Sequence, residues 1–85
     1  MMVTSYTLAR VLPAKEEEVY RKVKTYPEVK AAVLTYGEYD LLLKIEVDSL
    51  EELDNFIFNK LRTTSGILAT TTLIEAKPKW IVGEG

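Results

Sequence analysis

The order in which strand and helix patterns follow one another constrains the fold of this chain most. Residues 3–12 are mainly apolar and β-branched and stop at Pro13, a pattern typical of a strand. Residues 14–26 instead repeat apolar side chains at helical spacing, with glutamates in the first turn and lysines in the later turns, which complements the helix dipole. The chain is therefore predicted to begin with a strand and an amphipathic helix that ends before Pro27.

Three more strands follow from period-two patterns and turn residues. Residues 29–36 and 39–47 are separated only by Gly37 and Glu38, and a two-residue loop with glycine first is typical of a type II′ hairpin. Residues 67–76 are rich in Thr, Leu and Ile, which favours a final strand.

A second helix is predicted between these strands. Ser49 followed by Glu52 matches a capping box, and Gly66 is a stop signal. Phe58 falls off the apolar stripe of this helix, so it either flanks the core or marks a further contact. The stripe itself consists of Leu50, Leu53, Ile57 and Leu61.

The resulting βαββαβ order is that of an α+β, ferredoxin-like domain, with a four-stranded antiparallel sheet and two helices on one face. A chain of 85 residues forms one domain, because it buries only about 60 to 65% of its unfolded surface and cannot divide its core. We expect the domain to span residues 1–77, followed by a tail over 78–85 whose Trp80 docks on a neighbouring subunit or on its own helices.

Composition excludes several functions. The chain has no cysteine and no histidine, so disulfides, thiolate sites and the usual nucleophile and base pairs are not available. We therefore predict no enzyme activity, no metal site and no cofactor. A net charge of -2 argues against a nucleic-acid surface, and no apolar run approaches the length that spans a membrane. These features predict a soluble, cytoplasmic protein.

Alternation along the strands predicts a sheet that is apolar on both faces. In residues 39–47, one row (Tyr39, Leu41, Leu43, Ile45 and Val47) is entirely apolar and must meet the helices. The opposite, open face is predicted to carry Tyr6, Leu8, Leu12, Ala32, Leu34, Leu42, Leu68 and Ile74. Because the two helices cover only one face, we predict a homodimer packed sheet against sheet, with all of these residues except Ala32 at its interface.

Polar residues near the hairpin admit two interpretations. Glu38 and Asp40 are either ordinary turn residues or a pair of carboxylates that share a face. Thr70 and Thr72 are either good strand residues or hydroxyl donors to a small anion. With Asp40 accepting from an ammonium group, this second interpretation predicts a free amino acid as ligand.

Three segments carry a resemblance to a known family. The Gly37–Asp40 motif followed by "LLLKIEV", the helix start "SLEEL" and the strand "SGILATTTLI" together resemble the RAM domain, the effector module of the Lrp/AsnC transcription regulators. The likeness runs from about residue 3 to residue 76. It implies dimers that assemble into rings, often octamers, and that bind amino acids between dimers. The ligand-binding positions that it implies are Tyr36, Gly37, Tyr39, Asp40, Thr70 and Thr72.

The resemblance also implies a difference from the full regulators. Those proteins carry a helix-turn-helix domain ahead of this module, whereas the first strand here begins at Val3. We therefore expect a stand-alone module that does not bind operator DNA directly and that either senses an amino acid or joins mixed assemblies with a full-length Lrp/AsnC regulator.

Two other functions are compatible with this topology. A small dimeric enzyme would use Tyr36, Glu38, Tyr39 and Asp40 as acid and base, although a hairpin tip is usually too wet to separate their pKa values. A nucleic-acid binder would need basic and aromatic residues on the open face, where only Tyr6 and Arg10 are candidates.

Overall fold

The structure is a computed structural model that describes residues 2–81. It confirms the ferredoxin-like order. Four strands form one antiparallel sheet in the order β2-β3-β1-β4, with both helices on one face. The strands are β1 (Val3–Val11), β2 (Val29–Leu34), β3 (Leu41–Val47) and β4 (Ile67–Ile74), and the helices are α1 (Glu16–Val23) and α2 (Leu50–Phe56). A π-helical turn over Ile57–Leu61, called the π turn below, continues α2.

The core lies between the sheet and the helices. Alternate residues of β1 and β3 face the helices and are buried, which confirms the inward row predicted from Leu41 to Val47. Polar residues of β1 share this face. Thr7 shares a 3.1 Å hydrogen bond with Thr72, and the Ser5 hydroxyl has no partner among residues 2–81.

The start of α2 matches its sequence signal, but the apolar stripe differs at one end. Ser49 is the N-cap and its hydroxyl accepts from the Glu52 amide at 3.1 Å, which satisfies one of the free amides of the first turn. Leu50, the first residue of the helix, is exposed, contrary to expectation. Phe56 fills the core instead.

Two features of the structure require glycine at position 66, just after the second helical segment. Its φ of 97° is a conformation that side chains other than glycine rarely adopt. A Cβ at this position would also lie 2.6 Å from Val19 Cγ2 of α1. The Gly66 carbonyl accepts from the Leu12 amide at 2.8 Å, so the turn is tied to the end of β1.

The hairpin is longer than the predicted two-residue turn. β2 ends at Leu34 and β3 begins at Leu41, which leaves residues 35–40 as a loop. The Thr35 amide donates to the Asp40 carbonyl at 3.0 Å, and the Thr35 hydroxyl donates to the Tyr39 carbonyl at 2.7 Å. These bonds close a six-residue loop in place of a type II′ turn.

The predicted face of several residues is wrong. Leu34 pairs with Leu41 and Ala32 pairs with Leu43, and directly opposed residues point to the same face, so both lie on the helix side. Ile74 pairs with Ser5 and lies on that side as well. The open face instead receives Val33 and Leu73 from the edge strands, beside Tyr6, Leu8 and Leu42.

Two other predicted interface residues lie outside the regular ladder. Leu12 is beyond the end of β1, and Leu68 is the extra residue of a bulge, since Val11 pairs with Ile67 and Arg10 with Ala69. Of the predicted tail, residues 82–85 lie outside the described part. Trp80 is largely exposed and does not dock on the helices of its own chain.

The two glycines with positive φ provide a matched test of the packing of Gly66 against α1. Gly66→Ala is expected to lower the free energy of unfolding by about 2 to 4 kcal/mol, because the new Cβ adds a steric overlap to the backbone strain. Gly37→Ala has open space around its Cβ and should lose only about 1 to 2 kcal/mol from strain. Guanidinium unfolding measures both, and equal losses would contradict the proposed close approach.

Candidate functional site

Asp40 fixes the loop of residues 35–40 to the central strand. Its carboxylate Oδ2 accepts from the Val11 amide at 2.8 Å, and its own amide donates to the Ala9 carbonyl at 2.9 Å. The side chain thus extends the pairing of β1 with β3 from Ala9, which lies opposite Leu41, to Val11. Among residues 2–81, none of the side-chain hydrogen bonds involves the second carboxylate oxygen, Oδ1. That oxygen is free to accept from a ligand.

A pocket of about 550 Å³ lies beside this carboxylate, between the loop and α1; it is called the loop pocket below. Its volume is in the range of small-molecule sites. Three of the residues predicted from the sequence, Tyr36, Gly37 and Asp40, come together in this pocket. The remaining lining residues are Glu16, Leu34 and Thr35.

Glu16 is the lining residue that sequence reasoning missed. It is the first residue of α1 and reaches the hairpin loop only through tertiary packing, so no local motif connects it with Asp40. Its carboxylate gives the pocket a second acidic group.

Tyr39 lies on the other side of the sheet from its predicted position. It belongs to the loop rather than to β3, so the inward alternation does not extend to it. Its hydroxyl shares a 3.1 Å hydrogen bond with Thr71, which pairs with Leu8 on the open face. The Arg10 guanidinium lies 5.5 Å from the centre of the Tyr39 ring.

The two hairpin carboxylates do not form a pair. Glu38 Oε2 accepts from Arg10 at 2.9 Å, on the open-face side, whereas Asp40 is bonded to Val11. Glu38 and Asp40 therefore do not form the two-carboxylate acid and base site considered from the sequence. Among residues 2–81 there is also no group of three or more acidic side chains that could hold a metal ion.

Thr70 and Thr72 line a different pocket, of about 300 Å³, between β4 and the second helical segment; it is called the strand pocket below. Their shared face was predicted correctly. They lie across β1 from the loop pocket, since Thr70 pairs with Ala9, the residue whose carbonyl binds the Asp40 amide. Two strand spacings, about 10 Å, therefore separate Thr70 from Asp40. Within one chain the predicted ligand-binding residues therefore fall into two separate pockets, called the half-sites below.

Comparison with known proteins shows the family to which this fold belongs. A family model described as the Lrp/AsnC ligand binding domain matches residues 4–78. The chain belongs to the Lrp/AsnC family. It is 33% identical over 75 residues to the HTH-type transcriptional regulator FL11 of Pyrococcus furiosus, a match that covers 88% of this chain and 49% of the regulator. The chain thus spans about half the length of the regulators it matches. The family consists of transcriptional regulators rather than enzymes.

Solved structures give the same result. The crystal structure of FFRP-DM1 superimposes with a TM-score of 0.85 at 44% identity, covering 87% of this chain and 99% of that one. The transcriptional regulator NMB0573 of Neisseria meningitidis, solved as a complex with L-Met, has a TM-score of 0.81 at 18% identity over 95% of this chain and 54% of its own, and shows the same fold. In the described residues, the helices are too short and polar to span a bilayer.

Substitutions at Asp40 separate its structural hydrogen bond from its charge. Asp40→Ala is expected to lower the free energy of unfolding by about 1 to 3 kcal/mol without any ligand, because the buried Val11 amide loses its acceptor. Asp40→Asn keeps an acceptor oxygen and should lose less than about 1 kcal/mol. Urea or guanidinium unfolding measures both variants. An Asp40→Ala variant as stable as the wild type would contradict the anchoring role.

Proposed function

We propose that this chain is an effector-binding and assembly module whose ligand is a free amino acid. The observation that carries the proposal is the loop pocket, where the free oxygen of Asp40 lies beside the turn at Gly37 in a domain of a ligand-binding family. The L-Met bound by NMB0573, a regulator of the same fold, supports the ligand class.

The chemistry of the loop pocket fits the two poles of an amino acid. Asp40 Oδ1 accepts from the α-ammonium group, and Glu16 adds to the negative potential that attracts it. Gly37 leaves its backbone open for a close approach, since no side-chain atom lies within 4 Å of the position its Cβ would take. Its amide donates to the α-carboxylate. The exposed Tyr36 ring covers the ligand side chain.

The two half-sites explain why assembly belongs to the function. Thr70 and Thr72 lie about 10 Å from Asp40 across β1, too far to contact the same small ligand within one chain. A site that uses both sets is completed between copies, where the strand pocket of one copy faces the loop pocket of another. Exposed Phe58 and Ile74 beside the strand pocket supply the apolar contact. Such contacts link dimers into a ring such as an octamer.

The dimer itself forms through the open face of the sheet. Tyr6, Leu8 and Leu42 from the central strands, with Val33 and Leu73 from the edges, form an apolar surface that no helix covers. A second copy packed sheet against sheet removes this surface from water. Leu34 and Ile74 are not part of this interface, because they lie on the helix side.

A role as a separate effector subunit is supported by FFRP-DM1, a solved chain of which 99% is matched by this sequence. In this role the module acts in the cytoplasm. It joins assemblies with a full-length Lrp/AsnC regulator and brings effector sites to them.

Ligand binding is tested by thermal unfolding with each amino acid in turn. A ligand at about 100 times its dissociation constant stabilises the folded state by roughly 2.7 kcal/mol, so a few amino acids should raise the melting temperature. Asp40→Asn keeps the bond to Val11 but removes the charge, and should abolish the response. Asp48→Asn, an exposed aspartate outside the pocket, is the control. A response unchanged in Asp40→Asn contradicts the assigned pocket.

The dimer interface is tested by a charge on the open face. Leu42→Asp places a carboxylate in the centre of the proposed interface and is expected to yield monomers in light scattering after size exclusion. Leu50→Asp puts the same charge on an exposed position of α2 and should leave the mass unchanged. If both variants retain the wild-type mass, the subunits associate through another surface.

A further inference from the structure

A third cavity lies on the helix side, away from both half-sites. It has a volume of about 410 Å³ and opens between α1 and the π turn; it is called the interhelix cleft below. Its lining is polar and consists of Glu18, Lys22, Tyr26, Asn59, Lys60, Thr63, Thr64 and Ser65. None of these residues lines the loop pocket or the strand pocket. Nothing in the proposed amino-acid site uses this cleft.

The floor of the cleft is the Tyr26 ring, which two lysines approach. Tyr26 is buried, packs edge-on against Phe56 at 5.8 Å, and shares a 2.7 Å hydrogen bond with Thr64. The ammonium groups of Lys60 and Lys22 lie 4.8 Å and 5.9 Å from the ring centre. Both ammonium groups thus lie close to the same fixed ring, in a chain whose net charge is negative.

The positive charge of the cleft is only partly compensated. Lys60 pairs with Glu28 at 3.1 Å. Within residues 2–81, Lys22 has no carboxylate within 4.0 Å, and the nearby Glu18 carboxylate is directed to Lys15 at 3.6 Å. Two ammonium groups that share one ring repel each other. An anion between them relieves this repulsion and receives charge-assisted hydrogen bonds from both.

The π turn builds one wall of the cleft. The Arg62 amide donates to the Ile57 carbonyl at 2.9 Å, five residues back, which widens the helix by one residue at this point. Thr63 and Thr64 donate to the Lys60 carbonyl, at 3.1 Å and 2.8 Å, and stabilise the widened turn. Single π turns are rare in proteins, and those that occur often lie at functional sites. Here the turn keeps Ile57 and Leu61 in the core while Asn59 and Lys60 line the cleft.

We propose that the interhelix cleft binds the phosphate group of a small phosphorylated metabolite. A phosphate monoester carries nearly two negative charges at neutral pH, which matches the two ammonium groups, and the Ser65 hydroxyl supplies a further donor. The cleft is larger than a phosphate ion alone, so the ester group occupies the remaining space above Thr63. This second ligand is chemically distinct from the amino acid and binds at a separate place.

Amide chemical shifts during titration locate the ligand directly. The protein is titrated with glycerol phosphate, inorganic phosphate, acetate and glycerol, each against sodium chloride of equal ionic strength. Saturable shifts are expected with glycerol phosphate, concentrated in residues 18–26 and 59–65, and weaker ones with inorganic phosphate. Glycerol should cause none, and binding of acetate as tight as that of phosphate contradicts the assigned ligand class.

Lys22 is the residue to substitute, because it is exposed and alanine is a good helix former. Lys22→Ala should weaken binding about tenfold or more, and Lys22→Arg, which keeps the charge, should retain most of it. Lys30→Ala removes an exposed lysine of β2 outside the cleft and should leave binding unchanged. The proposal is overturned by shifts that rise linearly without saturation, by shifts centred outside the cleft, or by equal losses in Lys22→Ala and Lys30→Ala.

Discussion

The structure depends on one constraint: its sheet has two apolar faces and its helices cover only one. On the covered face, residues of β1 and β3 such as Leu43, Ile45 and Ala9 are fully buried, and this packing holds α1 and α2 in place. On the other face, Leu8 and Leu42 remain partly exposed although they lie at the centre of the sheet. Apolar surface of this kind drives association, so the geometry of the sheet connects the fold with the assembly of subunits.

The hairpin loop connects the proposed dimer interface with the proposed ligand site. The loop of residues 35–40 presents Asp40 and Gly37 to the loop pocket on the helix side. From the same loop, Tyr39 and Glu38 contact Thr71 and Arg10 on the open-face side. A partner subunit that covers the open face therefore packs against side chains of the loop that carries the candidate effector groups.

The fold was predictable from the sequence because its signals are local. Helical spacing, the Ser49 cap and the glycine at 66 each act within a few residues, and the structure confirms them. The face of the sheet on which an edge-strand side chain lies is not a local property, because it depends on which residue of the neighbouring strand lies opposite. The pairings of Leu34 with Leu41, Ala32 with Leu43 and Ile74 with Ser5 decide it, and the assignments of Ala32, Leu34 and Ile74 to the open face were wrong for that reason.

In the candidate site as well, the local motif could be predicted and the tertiary contacts could not. The segment from Gly37 to Asp40 is contiguous, so its motif was visible, and Tyr36, Gly37 and Asp40 do come together. Glu16 enters the loop pocket from α1, and Lys22 and Lys60 approach the Tyr26 ring from two helical segments; only tertiary packing brings these groups into place. The separation of Thr70 and Thr72 from Asp40 likewise follows from strand order, which places β1 between them.

Sedimentation equilibrium of the unmodified protein over a range of dilutions tests the central claim most directly, since it reports whether the open face exists without a partner. A chain of 9.7 kDa whose sheet is covered by a second copy should sediment at an even multiple of that mass down to low micromolar concentration. A folded species that sediments as a single chain throughout the range would contradict the account.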